Sequence, residues 1–260
     1  MQKLICFDLD NTLLDHSNFK IPDSAMRAVS LLKEKGHIVV IATGRDMDNY
    51  YSRKYLELIG PRARIDQNGA RVIADGEVLT EHWIDKGLLR RMMDYAASHG
   101  VGLGCTINDE DYYVNPDRVR EAETNRFGSC GRQFQDPELL LSLPIRTVAF
   151  IGTNQEAAAM EAAFPEVTLR VFSIDYGADV IENGFSKAEG LKTLCAHYQI
   201  PMSETLAFGD SMNDLEILKE AAVGIAMGNA REALKKAADY VTDHIAEDGI
   251  WNACVHFGLI

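Results

Sequence analysis

The sequence lacks a long hydrophobic run, and no stretch approaches the roughly 20 apolar residues that a membrane-spanning helix needs. Met1-Gln2-Lys3 leads directly into a strand-length run that ends at Asp8, so we expect no signal peptide. Cations are also scarce, since 26 lysines and arginines face 39 acidic residues and leave a net charge of −13. This balance argues against binding to nucleic acid or to an anionic membrane, because both require clustered positive charge.

Cysteine is infrequent, and the five cysteines show neither CxxC motifs nor the Cys/His spacing of a metal site. None has an activating neighbour in the sequence, so we expect reduced, mostly packing thiols rather than disulfides or a catalytic cysteine. We therefore expect a cytoplasmic protein. For its assembly, both a monomer and a small homo-oligomer stay open. The cysteines are Cys6, Cys105, Cys130, Cys195 and Cys254.

Strand-length apolar runs alternate with helical patterns in the first third of the chain, and the alternation resumes at Ser186. Such alternation predicts an α/β fold in which a doubly wound parallel sheet carries helices on both faces. The predicted strands are Leu4–Phe7, His37–Ala42, Arg64–Asp66, Thr205–Phe208, Val223–Ala226 and Tyr240-Val241, and the predicted helices are Ala25–Lys35, Asp46–Leu58, Lys187–Tyr198, Asn213–Ala221, Glu232–Ala237 and Asp248–Phe257.

The middle of the chain has a different pattern, with paired short strands and helices that predict an inserted α+β domain. We therefore expect a core formed by residues 1–81 and 185–260, and an inserted domain formed by residues 82–184. Within the insertion the predicted helices are Lys86–Ser98, Arg118–Arg126 and Gln155–Phe164, and the predicted strands are Val101–Cys105, Tyr112–Val114, Arg146–Ile151, Val167–Ile174 and Asp179–Glu182.

The first chemical motif is Asp8-Leu9-Asp10-Asn11-Thr12, which directly follows the first predicted strand. Open parallel sheets bind their ligands at the carboxyl ends of the strands. Two carboxylates at that position, with no cation near them in the sequence, favour a hard divalent cation such as Mg²⁺. The alternative interpretation is a capped strand end whose acids are solvated.

Three further motifs follow predicted strands or begin a helix. Thr43-Gly44-Arg45 offers a hydroxyl and a close backbone approach to an anion, although a plain turn has the same composition. Lys187 begins a helix, where its charge adds to the helix N-terminus and suits a phosphate, unless it is a solvated surface lysine. The segment 209–214, Gly-Asp-Ser-Met-Asn-Asp, places two carboxylates and an amide at another strand end and is the most specific of the motifs.

In this order the motifs resemble those of the haloacid dehalogenase superfamily of phosphotransferases. The position of the insertion, after the threonine motif, resembles the Cof-type branch, which has a large α/β cap. Later segments, 224–230 and 248–250, are also similar to that branch. The resemblance covers the predicted core and is weaker through the insertion. It implies a Rossmann-like core with a mobile cap that closes over the crevice, and hydrolysis of a small phosphorylated metabolite, either a sugar phosphate or a phosphorylated cofactor or precursor.

The resemblance also implies a role for each motif residue. Asp8 would be the nucleophile that becomes an aspartyl-phosphate, and Asp10 would be the general acid and base. Mg²⁺ would be held by the Asp8 carboxylate, the main-chain carbonyl of Asp10 and the Asp210 carboxylate, with Asp214 in support. The residues that would bind the transferring phosphoryl group are Thr43, Gly44, Lys187 and Asn213.

Three other residues each have a functional and a structural interpretation. Asn68, in the turn Asn68-Gly69, either faces the substrate or only forms the turn, and Arg45 either reaches a substrate anion or forms a cap or a salt bridge. His16 either lines the entrance to the site or is a solvated loop residue. In the inserted domain the candidate substrate-contacting residues are Tyr112, Tyr113, Arg118, Arg126 and Arg170.

Two departures from the branch pattern leave the motifs intact. Asn11 stands where glycine is common, and asparagine tolerates unusual backbone angles. Ala188 also replaces a common glycine. The alternatives to a phosphatase are a sugar phosphomutase of the same superfamily, a receiver-type signalling domain, and a phospho-ligand-binding relative without catalysis. Receivers are about half as long and lack an insertion, and a relative without catalysis is expected to have lost one of the key acids, Asp8, Asp10 or Asp210.

Overall fold

The computed structural model describes residues 2–172 and 176–260, which form two compact units. The core unit runs to Met47 and includes Ser52–Glu81 and Phe185–Ile260. The inserted unit comprises His82–Gly184 together with Asp48–Tyr51, a short piece that precedes the insertion in the chain. Ile174, the last residue of one predicted strand, lies outside the described residues.

The helices and strands of the described residues are as follows, in chain order. The strands are β1 (Leu4–Phe7), β2 (Ile38–Ala42), β3 (Ala63–Asp66), β4 (Arg71–Ala74), β5 (Glu77–Glu81), β6 (Gly102–Ile107), β7 (Glu110–Val114), β8 (Phe134–Gln135), β9 (Val148–Thr153), β10 (Val167–Val171), β11 (Tyr176–Glu182), β12 (Thr205–Gly209), β13 (Val223–Ala226) and β14 (Tyr240–Val241). The α-helices are α1 (Asp23–Glu34), α2 (Tyr50–Ile59), α3 (Lys86–His99), α4 (Pro116–Phe127), α5 (Asn154–Ala163), α6 (Lys187–Tyr198), α7 (Leu215–Glu220), α8 (Glu232–Lys235) and α9 (Gly249–His256).

The sheet of the core unit confirms the predicted doubly wound α/β fold. Its strand order is β14-β13-β12-β1-β2-β3-β4-β5, and the pairs from β14 to β3 are parallel. From β1 the chain proceeds to β2 and β3 on one side, then returns at β12 and proceeds to β13 and β14 on the other. Since parallel crossovers are right-handed, this reversal places helices on both faces. It also opens a crevice beyond the carboxyl ends of β1 and β12, where such folds bind their ligands.

Two strands at one edge of this sheet were not predicted. β4 and β5 form an antiparallel hairpin that extends the sheet from β3. Their turn is Asp75-Gly76, and both residues have positive φ, at 51° and 85°. An Asp-Gly pair between apolar runs is a strong hairpin signature, so this hairpin was readable from the sequence.

The interior of the core unit is a continuous apolar cluster that holds the strand ends in place. Phe7 of β1 and Phe208 of β12 stack with their ring centroids 4.7 Å apart, directly before the two acidic motifs. Both rings are fully buried. Because close-packed side chains have little freedom, this contact fixes the relative positions of the chain segments that follow the two strands.

The inserted unit has its own antiparallel sheet and its own apolar cluster. The strand order is β10-β11-β9-β6-β7-β8, and β7–β8 is the parallel pair among otherwise antiparallel pairings. Buried side chains of α3 and α5 share one apolar cluster with the sheet, which matches the predicted α+β pattern. In the described part of the chain, no helix has both the length and the apolar character needed to cross a membrane.

Helix α2 begins at Tyr50, four residues later than the predicted start at Asp46. The backbone N–H of Tyr50 donates a hydrogen bond of 2.6 Å to Oδ1 of Asp109, in the β6–β7 turn of the inserted unit. This bond satisfies one of the donors that every helix N-terminus leaves free. Its partner lies 59 positions away, so the start of the helix depends on a contact that is not local in sequence.

Candidate active site

Three buried carboxylates meet beyond the ends of β1 and β12. Asp8 follows β1, while Asp210 and Asp214 follow β12, and oxygen atoms of all three lie within 4.8 Å of one another. The sheet order explains the meeting, because β1 and β12 are parallel neighbours and present their carboxyl ends at the same edge. The cluster therefore lies in the crevice that the topology predicts.

Lys187 is the cation of this cluster. Its Nζ donates to Oδ1 of Asp8 at 2.7 Å and to Oδ1 of Asp214 at 2.6 Å, and the residue is 1% exposed. The lysine is the first residue of α6, whose N-terminus is capped by the side chain of Ser186 accepting from the N–H of Glu189. The cap and the helix start fix where the lysine leaves the backbone.

The charges of the cluster do not balance without a further cation. Burial raises the pKa of Asp8 to about 8, with Lys187 opposing the shift and Asp214 and Asp10 adding to it. Burial and the charge of Asp8 also raise the pKa of Asp210 well above its usual range. When the three buried carboxyls ionise, one ammonium leaves excess negative charge, and carboxylate oxygens are the ligands that hard divalent cations prefer. The residues present therefore fit a divalent metal ion.

Asp214 also holds the turn that carries Asp210. Its Oδ2 accepts hydrogen bonds from the backbone N–H groups of Asp210, at 3.0 Å, and Ser211, at 3.1 Å. A Cβ atom at Gly209 would lie 2.5 Å from the Asp214 side chain, so a residue with a side chain would force this turn apart. Asp214 thus connects the backbone of the motif to Lys187.

The carboxylate of Asp10 contacts two basic residues instead of joining the acidic cluster. Arg45 binds it through both oxygens, with Nε 2.8 Å from Oδ2 and Nη2 2.6 Å from Oδ1. Nε2 of His16 lies 2.5 Å from Oδ1. Burial favours the neutral carboxyl, but the His16 hydrogen bond and the nearby Arg45 charge outweigh it and lower the pKa of Asp10 below the usual range.

Asp8 and Asp10 have no cation near them in the sequence, but the fold brings one to each. These cations are Arg45 and Lys187, from 35 and 179 positions along the chain. Of the two interpretations of Arg45, the structure contains the salt bridge. His16 was predicted to be either an entrance residue or a solvated one, and its contact with Asp10 was missed. Its place six residues after Asp10 was the available signal, because a loop of that length can return to its start.

Thr43 and Asn68 are buried beside each other at the ends of β2 and β3. The backbone N–H of Asn68 donates to the carbonyl of Thr43 at 2.9 Å. The hydroxyl of Thr43 accepts from the backbone N–H of Arg45 at 3.1 Å, across Gly44. This bond leaves the hydroxyl proton available for an acceptor, since a hydroxyl both donates and accepts.

Asn68 also connects its turn to the β12 motif. Nδ2 of Asn213 donates to Oδ1 of Asn68 at 3.2 Å, while the Ser211 hydroxyl donates to Oδ1 of Asn213 at 2.6 Å. Asn68 has a φ of 54° inside the turn. The next residue, Gly69, has a φ of 100°, and a Cβ there would lie 2.2 Å from the carbonyl oxygen of Ser186. The turn therefore packs closely against the start of α6.

The structure brings a further residue to this region that the sequence did not single out. Nδ2 of Asn229 donates to the carbonyl of Asn11 at 2.7 Å, and its Oδ1 accepts from the backbone N–H of Ile245 at 2.9 Å. Asn11 has a φ of 57°, as expected for an asparagine in place of glycine. Asn229 thus stabilises the unusual turn of the first motif.

The candidate residues of the inserted unit occupy different environments. Tyr112 packs against the apolar cluster, and Tyr113 is buried with its ring edge-on to Phe134 at a centroid distance of 6.0 Å. Arg118 pairs with Glu156 at 2.8 Å. The remaining two are Arg126, which is exposed at the end of α4, and Arg170, which lies opposite Asp179 in the β10–β11 pair.

Comparison with known proteins identifies the family. The model of the haloacid dehalogenase-like hydrolases matches residues 5–254, nearly the whole chain. The chain belongs to this family. The predicted resemblance to the haloacid dehalogenase superfamily is thereby confirmed, and the match spans the core motifs as well as the insertion.

Three of the similar proteins are phosphatases by name. The chain is 32% identical to the Bacillus subtilis protein "Putative phosphatase YkrA", over 99% of this chain and 98% of that protein. It is 28% identical to the B. subtilis 5-amino-6-(5-phospho-D-ribitylamino)uracil phosphatase YitU, over 95% and 94% of the two chains. A solved sugar phosphatase of haloacid dehalogenase subclass IIB superposes with a TM-score of 0.89 at 29% identity, and all of both chains is covered. The predicted enzyme class, a phosphoric monoester hydrolase, is confirmed.

Proposed function

We propose that the protein hydrolyses small phosphomonoesters with Mg²⁺, through an aspartyl-phosphate on Asp8. The observation that carries the proposal is the contact of Asp8 with Lys187 inside the acidic cluster at the ends of β1 and β12. A buried nucleophilic carboxylate that is paired with an ammonium suits the transfer of a negatively charged phosphoryl group when the neighbouring carboxylates hold a metal cation. Such transfer depends mainly on positioning and on neutralising charge.

In the first step a carboxylate oxygen of Asp8 attacks phosphorus, and the bond from phosphorus to the ester oxygen breaks. Asp10, which must be protonated for this step, gives its proton to the departing oxygen, and the alcohol leaves. In the second step water attacks the phosphorus of the aspartyl-phosphate while Asp10 takes the water's proton. The Asp8–phosphorus bond breaks, which releases inorganic phosphate, restores the Asp8 carboxylate and leaves Asp10 protonated for the next cycle.

The residues we propose to bind the transferring phosphoryl group are Lys187, Thr43, Gly44 and Asn213. Lys187 supplies a positive charge, the hydroxyl of Thr43 and the side-chain amide of Asn213 supply hydrogen-bond donors, and Gly44 permits a close backbone approach. Mg²⁺, held by the carboxylates of Asp8 and Asp210 and the main-chain carbonyl of Asp10 with Asp214 in support, would add charge neutralisation at the phosphoryl oxygens.

The substrates we propose are sugar phosphates or phosphorylated cofactors and their precursors. Two relatives support this class, since one is named a sugar phosphatase and the other acts on a phosphorylated ribitylamino-uracil. We further propose that residues 82–184 form a cap domain that selects the substrate, while the core residues 1–81 and 185–260 perform the chemistry. The choice among individual metabolites would then depend on cap residues such as Arg118 and Arg170.

Two variants test this mechanism with a panel of phosphate esters. Asp8→Asn should abolish turnover of every ester while the fold is retained. Asp10→Asn should still be phosphorylated by an activated ester but hydrolyse slowly, since general acid–base catalysis contributes about 10²–10⁴-fold. Acid quenching of Asp10→Asn during turnover should yield a phosphorylated peptide that contains Asp8.

The matched control is Asp23→Asn, which removes an exposed acid at the start of α1 and should behave as the wild type. Near-normal turnover by Asp8→Asn would refute the covalent mechanism. Release of inorganic phosphate without any bisphosphate activator is expected, whereas a strict requirement for such an activator would identify a phosphomutase instead.

A further inference from the structure

The carboxylate of Asp10 is held unequally at its two oxygens. Oδ1 contacts two nitrogens, Nη2 of Arg45 at 2.6 Å and Nε2 of His16 at 2.5 Å. Oδ2 contacts one nitrogen, Nε of Arg45 at 2.8 Å, among the described residues. A carboxylate oxygen has two lone-pair directions, so Oδ2 retains one that is not used by these partners.

The loop that carries His16 is fixed independently of Asp10. Asp15 is buried, and its side chain accepts from the backbone N–H of Ser17 at 2.8 Å and from Nδ2 of Asn18 at 3.1 Å. The backbone N–H of Phe19 donates to the carbonyl of Asp15 at 2.7 Å. The rings of His16 and Phe19 lie 5.6 Å apart, so the imidazole is supported on one side by an aromatic neighbour.

We propose that His16 is a positioning residue that turns the Asp10 carboxylate so that Oδ2 exchanges the proton with the leaving group and with water. The bidentate contact with Arg45 holds the plane of the carboxylate. The contact with His16 occupies the second lone pair of Oδ1 and leaves Oδ2 as the oxygen for proton transfer. This inference rests on the proposed function, in which Asp10 is the general acid and base.

The leaving group offers a direct way to detect a change at Asp10. An alkyl alkoxide needs a proton as it departs, whereas 2,4-dinitrophenolate departs without one. Loss of the correct Asp10 orientation should therefore selectively slow the phosphorylation of Asp8 by alkyl phosphates. A misplacement of about 1 Å can cost on the order of 10²-fold, so we expect a selective loss of about ten- to a hundredfold.

The experiment compares kcat/KM of His16 variants for an alkyl phosphate and for 2,4-dinitrophenyl phosphate, because kcat/KM covers only the steps up to release of the alcohol and excludes the attack of water. His16→Ala should lower kcat/KM for the alkyl ester by that factor and should barely alter kcat/KM for the activated ester. His16→Gln retains an N–H donor near the position of Nε2 and should restore most of the loss. Since the glutamine variant changes the loop little, it keeps the test valid if the alanine variant is less stable.

Two controls separate positioning from general damage. His82 forms a comparable contact with a carboxylate, Nε2 to Oε2 of Glu182 at 2.6 Å, within the inserted unit. His82→Ala should not change the ratio of kcat/KM between the alkyl phosphate and 2,4-dinitrophenyl phosphate. In an Asp10→Asn background, His16→Ala should have almost no further effect on the alkyl ester, because residues that act through one another are not additive.

The outcomes distinguish this inference from the proposed function. Equal losses of kcat/KM for both esters would overturn the role of His16. So would the absence of recovery with glutamine, or an undiminished effect of His16→Ala in the Asp10→Asn background. If Asp10→Asn shows the leaving-group selectivity and His16→Ala does not, the inference fails while the proposed function stands. If Asp8→Asn remains active, the proposed function itself fails.

Discussion

Lys187 and Asp8 are 179 positions apart in the chain, yet Nζ of the lysine lies 2.7 Å from Oδ1 of the aspartate. Both residues are buried. The same ammonium contacts Asp214, so a single cation connects the motif after β1 to the motif after β12. Buried charges are costly unless they are paired, and this contact therefore ties the stability of the fold to the geometry of the site.

Removal of divalent metal should abolish activity. Asp8, Asp210 and Asp214 bring three carboxylates together with one lysine, and a hard cation would neutralise the excess charge. Treatment with EDTA should stop phosphate release, and Mg²⁺ should restore it. Ca²⁺ should inhibit, because it prefers more ligands and looser geometry. Circular dichroism before and after EDTA provides the control for unfolding, and full turnover by the metal-stripped protein would refute the metal requirement.

Without metal, the stability of the fold should decrease as the pH rises from about 4 to about 8. The pKa of Asp8 is raised to about 8 by burial, so the folded protein keeps a proton that the unfolded chain loses near pH 4. The folded state then binds more protons, and the free energy of unfolding falls with rising pH. Asp210 shifts in the same direction. The pKa of Asp10 is lowered instead, so Asp10 affects the free energy of unfolding only at pH values below this range.

Urea unfolding at several pH values measures this slope, to which each proton contributes at most about 1.4 kcal/mol per pH unit. With Mg²⁺ the slope should flatten, because the cation favours the ionised carboxylates. Asp8→Asn should remove part of the slope in metal-free buffer. A metal-free protein whose unfolding free energy increases with pH over this range would contradict the assignment of raised carboxyl pKa values.

Gly69→Ala should reduce activity and stability together. Gly69 has a φ of 100°, and an added Cβ would lie 2.2 Å from the carbonyl of Ser186, next to Lys187. The turn that holds Asn68 would have to move away from α6. Gly76→Ala is the matched control, since Gly76 has a φ of 85° but nothing within 4 Å of an added Cβ.

Both glycine variants carry the backbone cost of a left-handed alanine, roughly 1–2 kcal/mol. The difference between their unfolding free energies therefore reports the steric contact alone. We expect Gly69→Ala to be the less stable of the two and to lose kcat, whereas Gly76→Ala should keep kcat. Equal effects on stability and full activity in both variants would show that the close approach is unimportant.

Core and cap variants should differ in how they affect substrates. Thr43→Val removes a donor to the phosphoryl group that all substrates share, so kcat/KM should fall by a similar factor for each. Arg118→Ala and Arg170→Ala should instead change the ratio of kcat/KM among natural phosphate esters, with little effect on 4-nitrophenyl phosphate. Arg91→Ala, an exposed residue of the inserted unit, is the control. If the cap variants lost kcat/KM by the same factor for every substrate, the assignment of chemistry to the core and substrate selection to the cap would be wrong.

The sequence was sufficient to predict where the acidic motifs lie. Asp8 and Asp210 each follow a short apolar run, and parallel strands present their carboxyl ends at one edge. The position of Lys187 was also accessible, because Ser186 is a preferred N-cap and the helix begins at the next residue.

The partners of Asp10 were not accessible in the same way. Whether Arg45 contacts Asp10 or an external anion depends on the direction of its side chain after the turn at Gly44, which no local pattern specifies. His16 contacts Asp10 because the loop returns on itself around Asp15. Contacts of this kind are set by tertiary packing, whereas hydrophobic periodicity reports only local structure.

The central claim is that phosphate passes through a covalent bond to Asp8, and the stereochemistry at phosphorus tests it most directly. A phosphate ester made chiral at phosphorus with oxygen isotopes and sulfur would be hydrolysed in isotopically labelled water. Each in-line displacement inverts the configuration, so attack by Asp8 followed by attack of water predicts overall retention. Overall inversion would mean that water attacks the substrate directly, and it would contradict the covalent mechanism.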